Sequence, residues 1–237
     1  MTQLGWAGGV TGPRPRGMAG VGARRLDEID FLASIAKIAD IRAGQSFIRE
    51  GDPAAHYVLV TAGTARLCKA LPDGRRAITA FAGPGDFLGL AATGHYAATA
   101  EAMEPVRIAR YKRAEMAAAT VTFPSLAGLM LLALSNELAA AQSHILLLGR
   151  MTAREKLAAF LIGRVIGRGR DLALPFARID IADYLGLTTE TVSRAFSALK
   201  RDGMIVINHA ASITICDYFA LNALATGEDP RSAPLLA

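Results

Sequence analysis

Residues 178–194, RIDIADYLGLTTETVSR, admit few folds. Ile181 and Leu185 stand four apart and bury one face of a short helix, and Ala182 is small where a second helix would cross it. Gly186 tolerates the left-handed turn that ends this helix, and Thr188 is a good cap for the next. In that second helix Val192, Ala195, Phe196 and Leu199 point inward. Glu190, Ser193, Arg194 and Ser197 share the outward face at three- and four-residue steps. The reading is a helix-turn-helix whose second helix presents an acid, a hydroxyl and an arginine early in its course, which is the build of a major-groove reader.

The residue types suit that task. Arginine can bind the O6 and N7 of guanine in bidentate fashion, glutamate can accept from the cytosine amino group, and serine adapts to either. Glu190, Ser193 and Arg194 are therefore the candidate base contacts. Arg178, Thr188 and Thr189, at the starts of the two helices, are the candidate phosphate contacts. A plainer alternative stays open for Glu190 and Arg194: an i,i+4 ion pair on a solvated face.

Composition narrows the class. A net charge of +5 on 237 residues suits an anionic partner without identifying one, and 52% hydrophobic content suffices for packed cores. Cys68 and Cys216 are far apart and belong to no CxxC or Cys/His cluster, so each reads as a small buried apolar residue in a reducing compartment. The first twenty residues lack the apolar core of a secretion signal. The apolar run 126–134 is broken by Ser135-Asn136-Glu137 and is short for a bilayer span. These features predict a cytoplasmic protein with no membrane partner. No Ser/His/Asp grouping, paired-carboxylate motif or phosphate-binding loop supports catalysis, so the chain is not expected to be an enzyme.

The remaining chain divides by periodicity. Residues 1–25 are rich in Gly, Pro and Arg and read as a flexible arm. A helical pattern follows over residues 26–38, with Leu26, Ile29, Leu32 and Ile35 on one side. Between Ile41 and Tyr111, turn signals recur every ten residues or so, Asp73-Gly74 being the strongest hairpin signal, and predict an antiparallel roll within 26–123. After Phe123-Pro124, a long helix over 124–150 carries Ala127, Leu131, Leu134, Leu138, Ala141, Ile145 and Leu148 at alternating steps of four and three. That is a coiled-coil seam, and the predicted homodimer interface is Leu131, Leu134, Leu138, Ala141, Ile145 and Leu148. Packing of this face against the chain's own roll is the alternative. Gly149 ends the helix, and Thr152-Ala153-Arg154-Glu155 is a capping box that opens a final domain over 151–237, with Leu157, Phe160, Leu161 and Val165 on the buried side. Residues 204–207 and 212–215 read as a hairpin, which makes the last domain a winged helix with His209 at the wing tip as a further candidate phosphate contact.

Roll, dimer helix and winged helix in this order resemble the Crp/Fnr family of bacterial transcription regulators over residues 27–225. Asp183-Tyr184-Leu185-Gly186-Leu187-Thr188-Thr189-Glu190-Thr191-Val192-Ser193-Arg194 is similar to the E-x-x-S-R recognition helix of its Fnr and FixK branches. Ala141-Gln142-Ser143-His144-Ile145-Leu146-Leu147-Leu148-Gly149-Arg150 is the other specific stretch of the resemblance, and Gly85-Asp86-Phe87-Leu88-Gly89-Leu90 and Tyr96-Ala97-Ala98-Thr99-Ala100-Glu101-Ala102 look FixK-like. The resemblance implies an α+β fold with an N-terminal cyclic-nucleotide-binding-type β-roll, a long dimerisation helix and a C-terminal winged helix-turn-helix. It also implies double-stranded DNA and RNA polymerase as partners. Glu190, Ser193 and Arg194 would read each half of a TTGAT-type palindrome, and the controlled genes would serve low-oxygen or nitrogen-oxide respiration.

Two departures from the family bear on sensing. Nucleotide-binding members carry Gly-Glu at the start of their phosphate cassette and Arg-Ser/Thr at its end, whereas here Leu90 follows Gly89 and Ala97-Ala98 replaces the basic pair. Fnr proteins hold an iron–sulfur centre on cysteines before the roll, and this arm has none. The expectation is no cofactor. The rival readings are a haem or gas sensor using His56, His95 or His144, and a regulator gated by an orphan ligand.

Overall fold

The computed structural model describes residues 24–74, 76–165, 170–209 and 212–227, which divide into two compact units. One holds Ala140 onward together with Arg76–Ile78; the other holds the remaining described residues through Ala139. Most of the arm expected over 1–25 lies outside the described residues.

The described chain opens with α1 (Arg24–Ile35) and continues as eight strands, seven of them wholly within the N-terminal unit. These are β1 (Lys37–Ile41), β2 (Ser46–Ile48), β3 (His56–Ala62), β4 (Ala65–Ala70), β5 (Arg76–Ala82), β6 (Phe87–Leu88), β7 (Thr99–Ala102) and β8 (Val106–Lys112). They form two four-stranded sheets, ordered β1-β8-β3-β6 and β2-β7-β4-β5, and every recorded pairing in the two is antiparallel. Their inner faces meet in a core containing Ile48, Val58, Val60, Ala100, Ala102 and Ile108. Asp73-Gly74 lies between the neighbouring strands β4 and β5, as its turn chemistry requires.

The helix expected over 26–38 stops earlier. Ile38 belongs to β1, opposite Ala109, because residues 37–41 complete a ladder with β8 that a continued helix would forfeit. Ile29 remains exposed, while Leu32 and Ile35 pack against Ala109, Tyr111 and Met116 on the outer side of the first sheet. Met116 comes from α2 (Arg113–Thr122), a helix with no strong signal in the sequence.

The long helix α3 (Pro124–Arg150) runs one residue past Gly149. Leu126 and Leu147 are buried, but Leu131, Leu134, Leu138, Ala141, Ile145 and Leu148 are all exposed, with Leu131 and Ile145 at 66% and 68%. The seam is thus not consumed by packing within the chain. By length and composition alone α3 could cross a membrane, more than the run 126–134 suggested, because Glu137 is the one acid interrupting it.

The C-terminal unit adds α4 (Ala153–Ile162), β9 (Asp171–Ala173), α5 (Arg178–Leu185), α6 (Thr189–Arg201), β10 (Ile205–His209), β11 (Ser212–Ile215) and α7 (Tyr218–Thr226). Thr152 caps α4 in a full capping box with Glu155, and Leu157, Phe160 and Leu161 are buried. The expected two-stranded wing is three-stranded, since β9 pairs with β11 in the order β10-β11-β9. A three-residue strand carries too little periodicity to be read from sequence. The wing tip, 210–211, lies outside the described residues, as does the side chain of His209. Cys68 is buried as expected, but Cys216 is exposed. Ile213 and Ile215 are the inward residues of β11, so the alternation that buries them turns Cys216, the next residue, outward.

Candidate nucleic-acid interface

The turn between α5 and α6 is built from both sides. Gly186 sits at φ 62°, ψ 40°, and its N–H donates to the Ala182 carbonyl. Leu187 N–H donates to the same carbonyl at 3.0 Å. A Cβ on Gly186 would approach Leu148 Cδ2 to 3.2 Å, so positive φ and a crowded neighbour both favour glycine. Thr188 then caps α6, its Oγ1 accepting from Thr191 N–H at 3.1 Å.

Two carbonyls at the end of α5 lack partners within their own helix, and side chains from elsewhere supply them. His144 Nε2 lies 2.8 Å from the Tyr184 carbonyl; a carbonyl only accepts, so Nε2 carries the proton. Lys156, 7% exposed, donates from Nζ to the Leu185 carbonyl at 3.2 Å. A buried ammonium at a helix C-terminus meets the negative end of the macrodipole, which offsets part of its desolvation. Burial, and secondarily the Lys156 charge, hold the His144 pKa below the ordinary imidazole value despite the opposing carbonyl bond.

An aromatic box lies behind this turn. Tyr184 is stacked on His144 and also meets Phe160, with ring centroids 5.7 Å apart. Arg164 lies 3.5 Å over the Phe160 ring and donates to the Phe160 carbonyl at 2.9 Å. Burial lowers the Arg164 pKa to about 10, which leaves it charged at neutral pH. Asp180, 4% exposed, is held by Arg76 at 2.7 Å, and Asp183 takes Arg76 Nε at 2.8 Å.

On this base, α6 buries Val192, Ala195, Phe196 and Leu199 and exposes Glu190, Ser193, Arg194 and Ser197. Glu190 and Arg194 do form the plainer i,i+4 pair, with both side chains about three-quarters exposed. Pairs so exposed are worth only about 0–1 kcal/mol, so either partner can leave for a better ligand. Ser193 Oγ donates to the Thr189 carbonyl at 2.9 Å and keeps its lone pairs. Thr188 and Thr189 are exposed at the α6 N-terminus, where backbone N–H groups favour anions. Arg178 Cζ lies over the Phe196 ring, 3.3 Å from its centroid, so this half-buried side chain braces α5 against α6.

Sequence reasoning missed Lys156, Arg164 and Arg113. Lys156 lies within α4 and Arg164 just past its end, and the partners of both become evident only once the chain folds. Arg113 stacks 4.3 Å over the Tyr57 ring and donates to the carbonyl of Gly89, which pins the segment that follows β6. Gly89 itself, at φ 85°, faces Tyr96, whose Cε1 would lie 3.0 Å from an added Cβ. Of the three histidines considered for haem, His144 is committed to Tyr184, His95 is exposed and its backbone pairs with Pro53, and His56 lies in the roll.

This architecture defines a β-roll regulator carrying a DNA-binding helix-turn-helix. The Crp-like helix-turn-helix domain matches residues 155–224, and the cyclic nucleotide-binding domain matches residues 39–121. The chain is 41% identical over 209 residues to the nitrogen fixation regulation protein FixK of Bradyrhizobium diazoefficiens, covering 86% of each chain. It is 45% identical over 151 residues to the transcriptional activatory protein AadR of Rhodopseudomonas palustris, covering 61% of this chain and 63% of that protein. The solved structure of FixK2 from Bradyrhizobium japonicum is 36% identical with a TM-score of 0.75, covering 80% of this chain and 97% of that one. The chain belongs to the Crp/Fnr family of transcription regulators, on its FixK-like branch. Its relatives are regulators and not enzymes.

Proposed function

We propose that the protein is a homodimeric, sequence-specific transcription regulator that reads a TTGAT-type palindrome. The observation that carries this is the outward face of α6. Glu190, Ser193 and Arg194 are exposed together on a helix whose opposite face is fully buried. Arg194 reads guanine, Glu190 accepts from the paired cytosine, and Ser193 adapts between them. Thr188, Thr189 and Arg178 position the helix on phosphate, and His209 at the wing adds a contact.

Two half-sites follow from a two-fold dimer, which places its recognition helices one DNA turn apart. Support for the dimer comes from the exposed seam of Leu131, Leu134, Leu138, Ala141, Ile145 and Leu148, a surface that a lone chain leaves in water. In this reading 26–123 is the sensor-type roll, 124–150 the dimerisation helix and 151–237 the DNA-binding domain, working in the cytoplasm with RNA polymerase. The relatives are named for nitrogen fixation regulation and transcriptional activation. Low-oxygen or nitrogen-oxide respiratory genes are the proposed targets. A mobility-shift titration with a TTGAT palindrome and a scrambled duplex at equal salt tests the reading. Preference for the palindrome by at least a hundredfold is expected, and equal affinity would overturn it.

A further inference from the structure

At one end of the roll the inner face of the first sheet turns basic. Residues opposite each other in an antiparallel ladder share a face, and alternate residues return to it. Val58 is on the inner face, buried in the core at 1% exposure. Its register partner Arg110 is on that face too, as is Lys37, which stands opposite Arg110. Two residues along, Lys112 and His56 pair with each other on the same face. An apolar interior therefore ends in four basic side chains.

A cavity of about 140 Å³ opens there, lined by Arg49, Asp52, His56, Tyr96 and Arg110 over a floor that includes Val58. Its wall is fixed by backbone bonds. Gly51 N–H donates to the Tyr96 carbonyl at 2.9 Å, and Tyr96 N–H donates to the Asp52 carbonyl at 3.0 Å. The Tyr96 hydroxyl donates to the His56 carbonyl at 2.8 Å.

Charge around the cavity is unbalanced. The hydrogen bond recorded for Arg110 goes to the neutral Phe47 carbonyl at 3.4 Å, and among the described residues neither Arg110 nor Arg49 has an ion pair. Glu115 is occupied by Lys112 at 2.8 Å, which leaves Asp52 as the one carboxylate lining the space. Burial, and after it the charges of Arg110, Lys37 and Lys112, hold the His56 pKa below its ordinary value against a weaker opposing effect of Glu115.

We infer that this mouth of the roll is a binding site for a small tetrahedral oxyanion of phosphate or sulfate size. Two guanidinium groups and an imidazole converging from different strands and loops match tetrahedral acceptors better than a single planar carboxylate, which one arginine fork satisfies. A volume of about 140 Å³ suits a small oxyanion, whereas pockets for drug-sized ligands run from about 300 Å³ upward. The site stands independently of the DNA-binding reading and is tested without DNA.

The test is calorimetric titration of the full-length protein with inorganic phosphate, and separately with sulfate and malonate, against chloride at matched ionic strength. Saturable binding of phosphate and sulfate at millimolar concentration or below is expected, with malonate at least tenfold weaker. Arg110→Gln and His56→Gln should each weaken phosphate by at least tenfold. Should Arg110→Gln fold poorly, Arg49→Ala, at an exposed loop position, serves in its place with the same expected loss. Heats indistinguishable from chloride, or variants that bind phosphate like the parent, overturn the site. Malonate binding as tightly as phosphate overturns the tetrahedral preference.

Discussion

The ring of His144 lies on the ring of Tyr184, with centroids 4.1 Å apart and planes 9° from parallel, and its Nε2 reaches the carbonyl of the same residue at 2.8 Å. One side chain of the long helix thus holds both the ring and the backbone of the last turn of α5, directly ahead of the turn that aims the recognition helix. His144→Phe keeps the stack and removes the donor, leaving a carbonyl unpaired in a buried setting. A loss of about 1–3 kcal/mol in denaturant unfolding is expected, with His144→Gln recovering part of it. Equal stability of the Phe variant and the parent would show that the bond contributes nothing.

The same residue sets a pH dependence. Its folded pKa is depressed, so its contribution is present in full above the ordinary imidazole value of 6.5 and is lost as pH falls through that value toward the folded one. Stability measured between pH 8 and 5 should fall more steeply for the parent than for His144→Gln. His56, depressed in the same direction, contributes equally to both proteins and cancels in the difference.

Asp86 acts with the opposite sign. Burial raises its carboxyl to about 7, against a weaker opposing bond from the Gly83 N–H, which Asp86 Oδ2 accepts at 2.7 Å. The folded state therefore holds a proton that the unfolded state releases near 3.8, and stability declines as pH rises from there to about 7. Asp86→Asn keeps an acceptor for Gly83 and removes the titration. Its stability relative to the parent should climb across that window and level off above it. A difference independent of pH would refute the assignment.

Base reading should be separable from phosphate anchoring. Arg194→Ala is expected to cost about 1–3 kcal/mol per half-site and relax discrimination at one guanine. Glu190→Ala should blunt discrimination at the paired cytosine while sparing affinity for random duplex. Arg178→Ala should weaken all duplexes alike and lower the salt slope by about one. Because Arg178 also stacks on Phe196, its substitution should lower the melting temperature as well. Mobility shifts on specific and scrambled duplexes at several salt concentrations check all three.

Leu138→Glu places a charge in the middle of the exposed seam, where pairing of two helices would bury it at a cost of several kcal/mol. A monomer by sedimentation, with poor palindrome binding and an unchanged circular dichroism spectrum, is the expected outcome. A dimer that binds normally would send the interface elsewhere.

Cyclic AMP or cyclic GMP at millimolar concentration should change neither melting temperature nor DNA affinity. Leu90 offers no acceptor to a ribose hydroxyl, and Ala97-Ala98 offers no cation to a phosphodiester. A ligand at a hundred times its dissociation constant would add about 2.7 kcal/mol, so binding could not escape a thermal scan.

Local chemistry in the sequence determined the helix-turn-helix, down to the positive φ of Gly186, the Thr188 cap and the four buried positions of α6. Period and turn residues did the same for the roll and the capping box of α4. Those features depend on neighbours a few residues away, so the chain carries them in its spacing. Tertiary structure alone decided that Ile38 joins a strand and that β9 adds to the wing, because each rests on a partner strand. It alone placed Lys156 on the Leu185 carbonyl and His144 on Tyr184, bonds across 29 and 40 residues. Only folding brought Lys37, His56, Arg110 and Lys112 onto one inner face, since cross-strand register is a property of the sheet and not of any single strand.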